Sequence, residues 1–241
     1  MIESTLGYDN SYYQGNQQDR DRPALALYQR LVRRYIPPGP VVDFGCGMGH
    51  LLKRLGRDRV AAGVEASEWA SVASRQNCPA STVYRSLDEI PTAAYAGIVS
   101  IHVVEHIEDE GLAAVLAQFK RILQPGGRLL IVTPDATGWA SRTKGTAWLA
   151  LTDPTHINLK GHDAWRQLFL DHGFTVLKEA ADGLYDFPYP PRKSRLIDIA
   201  LRGWPTIVQF IAGRLLLKAG TGESVIFLLG HLVSNTSHET V

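Results

Sequence analysis

Between Val41 and Thr133 the chain alternates short apolar runs with segments of helical period, and few folds accept that alternation. Val41-Val42-Asp43-Phe44 reads as a strand and His50 to Leu55 as a helix; Val60 to Val64 is again a strand. Ser67 is placed to cap a helix carrying Trp69, Val72 and Ala73, after which Thr82-Val83-Tyr84 and Gly97 to Ile101 are strands. Leu112, Val115, Leu116, Phe119, Ile122 and Leu123 share one helical face, closed by Gln124-Pro125-Gly126-Gly127, and Arg128 to Thr133 is a fifth strand. Strands and helices at this spacing build parallel βαβ units with right-handed crossovers, and near-continuous apolar strands need cover on both faces. The fold class is α/β.

Flanking segments extend this frame. Residues 1–22 are polar and tyrosine-rich, which predicts an arm outside the core, with the main domain spanning 23–241. Leu27, Leu31 and Tyr35 mark a helix ended by Ile36-Pro37-Pro38-Gly39. Beyond Pro134 a stretch rich in Trp, Gly and Thr leads to a helix over Asp163–His172, whose Trp165, Leu168 and Phe169 form a core stripe. Phe174 to Leu177 is a sixth strand, 193–219 is a helical insertion, and Ser224 to Val233 is a last strand.

Charge and composition narrow the function. With 25 Lys+Arg against 24 Asp+Glu in 241 residues, the net charge of +1 gives no electrostatic reason to bind a polyanion, so no nucleic-acid partner is expected. Cys46 and Cys78 suffice for neither a disulfide framework nor a four-cysteine zinc site. The first residues lack a basic start and apolar core, and no run of 18 apolar residues occurs, so a cytoplasmic protein is expected. Basic residues Arg192, Lys193, Arg195, Arg202, Arg214 and Lys218 lie among Leu and Ile in or beside 193–219; a helical cap, a homodimer contact and a peripheral membrane contact all suit that pattern.

Gly45-Cys46-Gly47-Met48-Gly49 follows the first strand directly. Such a loop brings bare backbone close to a ligand, because glycine enters turn conformations and has no Cβ in the way. A tight structural turn is the plain alternative. Glu65 falls 20 residues after Gly45, at the end of the second strand, where a carboxylate can accept both hydroxyls of an adenosine ribose; a helix-starting surface Glu is its plain alternative. Asp43 stands within an apolar strand, where an ionised carboxylate needs a donor or a cation. A dinucleotide fingerprint would place its third glycine at position 50, but that residue is His50.

Taken in order, Val41–Leu52 (VVDFGCGMGHLL), Glu65, Ile98–Asp109 (IVSIHVVEHIED) and Leu123–Pro134 (LQPGGRLLIVTP) resemble the motif set of class I S-adenosylmethionine-dependent methyltransferases over about residues 23–180. The resemblance implies a Rossmann-like, seven-stranded sheet whose last strand is antiparallel. It implies S-adenosylmethionine as cofactor, with Asp43, Gly45, Gly47 and Gly49 around its methionine end. Glu65 then takes the ribose, Ala66, Ser86 and Leu87 the adenine, and His102 and Val103 the surroundings of the sulfonium. It also implies an acceptor-pocket segment over 135–165, and a lid role for Tyr12 and Tyr13.

Methyl transfer is an in-line displacement in which the sulfonium is its own leaving group, so the protein chiefly positions the acceptor and excludes water. An alcohol acceptor also benefits from a base, and an imidazole has a suitable pKa. His156 is the first candidate and His102 the second, with Asp153 orienting His156; Asp153-Pro154-Thr155 as a capped turn is the plain alternative. Asp135, Asp153 and a histidine could instead hold magnesium. Trp139 and Trp148 lack core periodicity and are pocket candidates for a saccharide or aromatic acceptor. The expected activity is O-methylation of a saccharide or small-molecule hydroxyl. Its rivals are N- or C-methylation, a non-catalytic cofactor binder, and a nicotinamide-dependent oxidoreductase.

Overall fold

A computed structural model describes residues 20–190 and 194–231. The proposed arm up to Asp19, with Tyr12 and Tyr13, and residues 191–193 and 232–241 lie outside the described residues.

Seven strands form one sheet: β1 (Val41–Phe44), β2 (Ala61–Val64), β3 (Thr82–Tyr84), β4 (Tyr95–Ile101), β5 (Leu123–Pro134), β6 (Phe174–Ala181) and β7 (Ser224–His231). Their spatial order is β3-β2-β1-β4-β5-β7-β6. The first five pair in parallel, and β7 runs antiparallel to both β5 and β6, so the expected antiparallel last strand is present. The order reverses between β1 and β4, where the chain leaves in opposite directions and a crevice opens at the carboxyl ends of the strands.

Alternation along each strand divides the core into two layers. In β5, Leu130 and Val132 join α1 (Pro23–Tyr35) and α2 (His50–Leu55) through Leu27, Leu31, Leu52 and Leu55. Leu129 and Ile131 point the other way, onto Leu116 and Phe119 of α4 (Asp109–Ile122) and Trp165 and Phe169 of α7 (His162–Asp171). Trp165 is thus a core residue, as its stripe predicts.

Three expectations change. Helix α3 (Glu68–Asn77) forms and Ser67 caps it, accepting from Ala70 N–H, but its buried face is Ala70, Ser71 and Ser74, while Trp69 and Val72 are exposed. The reason is close approach: a Cβ on Gly49 would lie 2.7 Å from Ser74 Oγ and 3.3 Å from its Cα, so only small side chains fit between the helix and the glycine loop. Strand β5 starts at Leu123 rather than Arg128, because Tyr95 pairs with Leu123 across a bulge before the regular ladder resumes. Among its described residues the 193–219 segment is helical only as α8 (Arg195–Arg202) and α9 (Trp204–Ala212), which meet at Gly203; Gly213, at φ +56, ends α9 in the left-handed conformation. Leu196, Ile197, Trp204, Ile207 and Ile211 are exposed on this pair.

The stretch after β5, in which the sequence pattern shows no element before the helix at 163, holds two short helices, α5 (Trp139–Lys144) and α6 (Leu149–Thr152). Among the described residues no helix is long and apolar enough to cross a membrane.

Candidate active site

β1 and β2 deliver the chain into a paired turn. Gly45 and Cys46 N–H both donate to the Val64 carbonyl, at 2.9 and 3.1 Å. Gly45, Gly47 and Gly49 all have positive φ, at +72, +53 and +84. A Cβ on Gly45 would sit 2.4 Å from Val103 Cγ2, so this position excludes a side chain twice over, by dihedral and by space. Glu65 locks the turn: its Oε2 accepts from Gly47 N–H and its Oε1 from Ser67 N–H, both at 2.8 Å. Burial raises the Glu65 pKa, with the backbone donors of Ser67, Gly47 and Ala66 and the charge of Arg85 opposing it.

Asp43 lies beneath the turn and is 3% exposed. Burial first, and then the charge of Glu65, push its carboxyl up to about 7, against a backbone hydrogen bond from Leu52. Its Oδ2 is buried with no hydrogen-bond partner. His50 Nε2, one turn away, is likewise buried and unpaired. Cys46 is inert by the same physics, since desolvation carries its thiol far above the ordinary range.

At the carboxyl end of β4 the backbone is strained. His102 has φ +55, uncommon for a side chain of its size, and its Nδ1 lies 3.2 Å from Glu105 Oε1. Glu105, in the 3₁₀ turn Val104–His106, is wholly buried, and Thr133 Oγ1 donates to its other oxygen at 3.1 Å. Burial alone would raise the Glu105 pKa; the hydrogen bond and charge of His102, and then His106, outweigh it and hold the carboxyl below its usual value.

The segment after α6 crosses this turn and is tied to it. Asn158 N–H donates to Glu105 O at 2.9 Å, and Asn158 Nδ2 donates to Ile107 O at 2.7 Å. Asp153 Oδ1 accepts from Thr155 N–H and Oγ1, so Asp153-Pro154-Thr155 is a capped turn. The same turn sets His156: its Nδ1 lies 2.7 Å from Ala150 O, and its Nε2 is 3.8 Å from Asp153 Oδ2. A carbonyl can only accept, so the neutral His156 ring carries its proton on Nδ1 and presents the Nε2 lone pair.

A cleft of about 770 Å³ joins these parts. Asp43, Gly45, Gly47, His102, Asp153 and His156 all line it, so the structure gathers six candidates from three separate segments. Six others, Glu65 among them, are not part of its lining. Val103 packs on Gly45, Gly49 abuts Ser74, and Leu87 is buried. Ser86 Oγ caps the 3₁₀ turn Leu87–Glu89 by accepting from Asp88 N–H, and the Ala66 carbonyl accepts from Arg85 Nη2.

Asp135 is not brought to Asp153. Its buried carboxylate accepts from Thr137 and from His162 N–H, and lies 2.9 Å from His162 Nδ1, which makes it the anchor of α7 rather than a partner for a magnesium ion in the cleft. Trp148 lines the cleft with its indole N–H donated to Glu223 Oε2. Trp139 does not; its ring packs 4.4 Å from that of Tyr189 and 6.0 Å from that of Tyr185.

Sequence reasoning passes over two acids here. Asp182 lines the cleft, is 2% exposed, accepts from Tyr28 Oη at 3.3 Å, and burial raises its carboxyl to about 7. It follows directly on β6, which extends four residues beyond the expected end, so no strand-end signal marked it. Glu105 lies within the Ile98–Asp109 motif, but only burial shows that it is the hub of the turn.

The comparisons with known proteins agree with this geometry. Residues 16–179 match a family model described as a methyltransferase domain. No curated protein matches the chain. Among solved structures, the chain is similar to a SAM-dependent methyltransferase from Archaeoglobus fulgidus, at 18% identity and TM-score 0.58, covering 90% of this chain and 99% of that one. It is also similar to a possible histamine N-methyltransferase from Thermotoga maritima, at 16% and 0.62, covering 92% and 98%. A third likeness is to the geranyl diphosphate C-methyltransferase of Streptomyces coelicolor, at 15% and 0.56, covering 85% and 75%. With a family model over more than half its length, a glycine turn locked by a strand-end carboxylate, and a sheet of the matching order, the chain belongs to the class I S-adenosylmethionine-dependent methyltransferases.

Proposed function

We propose that the chain moves a methyl group from S-adenosylmethionine to a hydroxyl of a saccharide or small-molecule acceptor. The observation that carries the cofactor half is the orphaned, buried Asp43 Oδ2 facing a cleft floored by side-chain-free backbone. An acid kept there without a partner suits a ligand that brings a cation, and the α-ammonium of the methionine end is one. Gly45 and Gly47 let that end approach; Gly49 closes the turn onto α3. Glu65, at the end of β2, accepts the ribose hydroxyls in this reading. Ala66, Ser86 and Leu87 flank the adenine in this reading, and His102 and Val103 flank the sulfonium. The cofactor supplies an activated methyl group; the chain holds it, orients the acceptor and keeps water away.

For oxygen as the accepting atom, the support is the His156 tautomer. Its Nε2 lone pair, held on a rigid Nδ1 bond, can take the hydroxyl proton as the new O–C bond forms. His102 is the second imidazole in the same cleft, and its Nδ1 contact with Glu105 leaves its Nε2 in the same state. Trp148, α6 and the turn after it line the cleft and form the acceptor wall in this reading.

Calorimetry with S-adenosylmethionine and S-adenosylhomocysteine tests the first half. Glu65→Ala should weaken either by about 1–3 kcal/mol, since two hydroxyls lose their acceptor and Gly47 loses its anchor. Unchanged affinity would dismiss the ribose assignment. Turnover with a panel of hydroxyl, amine and carbon acceptors tests the second half and separates an enzyme from a protein that only binds the cofactor.

A further inference from the structure

We propose that Glu105, His106 and His156 form a binding site for a divalent transition-metal ion at the acceptor side of the cleft. One ligand atom from each of the three lies within 4.8 Å of the others. They come from two segments 50 residues apart, and the Asn158 bonds to the backbone of Glu105 and Ile107 fix one segment on the other.

The two imidazoles are oriented alike. His106 Nδ1 lies 3.0 Å from Thr155 O, and His156 Nδ1 lies 2.7 Å from Ala150 O. Each carbonyl fixes a proton on Nδ1 and so assigns the Nε2 lone pair to the other side of the ring, the arrangement by which metal-binding histidines are held. The ring centroids lie 4.7 Å apart with the planes tilted by 59°. Glu105 completes the set from below, with one oxygen against His102 and the other accepting from Thr133, so its carboxylate is both buried and aimed.

Two imidazole nitrogens and one carboxylate suit zinc, manganese or ferrous ion better than magnesium, which prefers oxygen ligands and keeps its waters. Bonds of about 2.1 Å would draw the three atoms together by about 1 Å.

What the ion would do rests on the methyl-transfer reading; whether it binds does not. With positions left open, it would hold the acceptor hydroxyl and lower its pKa. The O–C bond then forms as the C–S bond breaks, its electron pair goes to sulfur, and the hydroxyl proton passes to His102 or to water. The lone pair of His156 serves either a proton or the ion, so this site moves the base role away from His156.

The test is titration of chelator-treated protein with Zn²⁺, Mn²⁺ and Mg²⁺ separately, by calorimetry and, for Mn²⁺, by electron paramagnetic resonance. One Zn²⁺ or Mn²⁺ should bind per chain at least 10-fold more tightly than Mg²⁺, and His106→Gln and Glu105→Gln should each weaken it at least 10-fold. S-Adenosylmethionine titrations and thermal melting on the same samples report separately on the cofactor site and on folding. Absence of binding to the wild-type chain, or binding unmoved in a His106→Gln protein that melts like wild type, would overturn the proposal. Cofactor binding without metal binding would sink this site alone, and metal binding without cofactor binding would sink only the methyl-transfer reading.

Discussion

Asp43→Asn should make the cofactor-free protein more stable above neutral pH while crippling cofactor binding. The folded protein raises this carboxyl from 3.8 to about 7, by burial and then by the charge of Glu65. An acid raised in the folded state contributes stability that is complete below its unfolded value and is lost as pH climbs toward the folded one. Between pH 4 and 8 the native chain must therefore give up about 4 kcal/mol through Asp43, three pKa units at ~1.4 kcal/mol each. Asn has the same shape and no charge. It leaves an amide unpaired where Oδ2 was, a cost of about 1–3 kcal/mol that does not change with pH. The variant should hence be equal to or below wild type at pH 4 and above it at pH 8, and the gap between the two differences should approach ~4 kcal/mol. In a domain of this size that is a relative melting shift of about 8–16 °C. Urea or thermal denaturation of both proteins across pH 4–8 measures it; taking the difference cancels the parallel contribution of Asp182. A stability difference that stays flat with pH would refute the reasoning, because Asp43 would then be solvated or paired in the folded chain. Saturating S-adenosylmethionine should stabilise wild type at pH 8 far more than the variant, if the ammonium is the missing partner.

Gly45→Ala should destabilise the protein by about 1–3 kcal/mol, since its Cβ both meets Val103 and suffers the left-handed φ. Val103→Ala in the same chain should restore the steric part only, and full recovery in denaturation curves would show that the dihedral carries no strain. His156→Ala should lower turnover by about 10²–10⁴-fold with cofactor affinity intact. Turnover that survives the change would pass the proton to His102 or leave positioning as the whole of catalysis.

The frame was legible because each strand is a compact apolar run and each breaker a Gly or Pro cluster, so β1 to β5 and their helices follow from periodicity. What escaped follows from packing. The buried face of α3 is small rather than apolar because Ser74 touches the glycine turn, and no hydrophobic periodicity encodes that contact. The far end of β6 escaped because Lys178 and Glu179 break its apolar run, although they pair with Leu228 and Phe227 of β7. Around the cleft, glycines and strand-end acids carry recognisable spacing, which is why Asp43, Gly45, Gly47 and Glu65 stand out in the sequence as candidates. Asp182 and the hub role of Glu105 depend on which segments the fold lays across one another, and Asn158, the residue that does the laying, has no local signature.

Strand β7 also bears on how the chain is made. It is the last of the described strands, yet it lies inside the sheet and is the only bridge between β5 and β6. While a ribosome is still translating the loop before Ser224, Leu129 to Val132 present an unpaired, fully apolar edge, ready to zip onto any passing strand. Newly made protein should therefore depend on chaperone shelter until His231 has cleared the exit tunnel, and a stop codon even a few residues before that point should yield aggregate in place of a shortened enzyme.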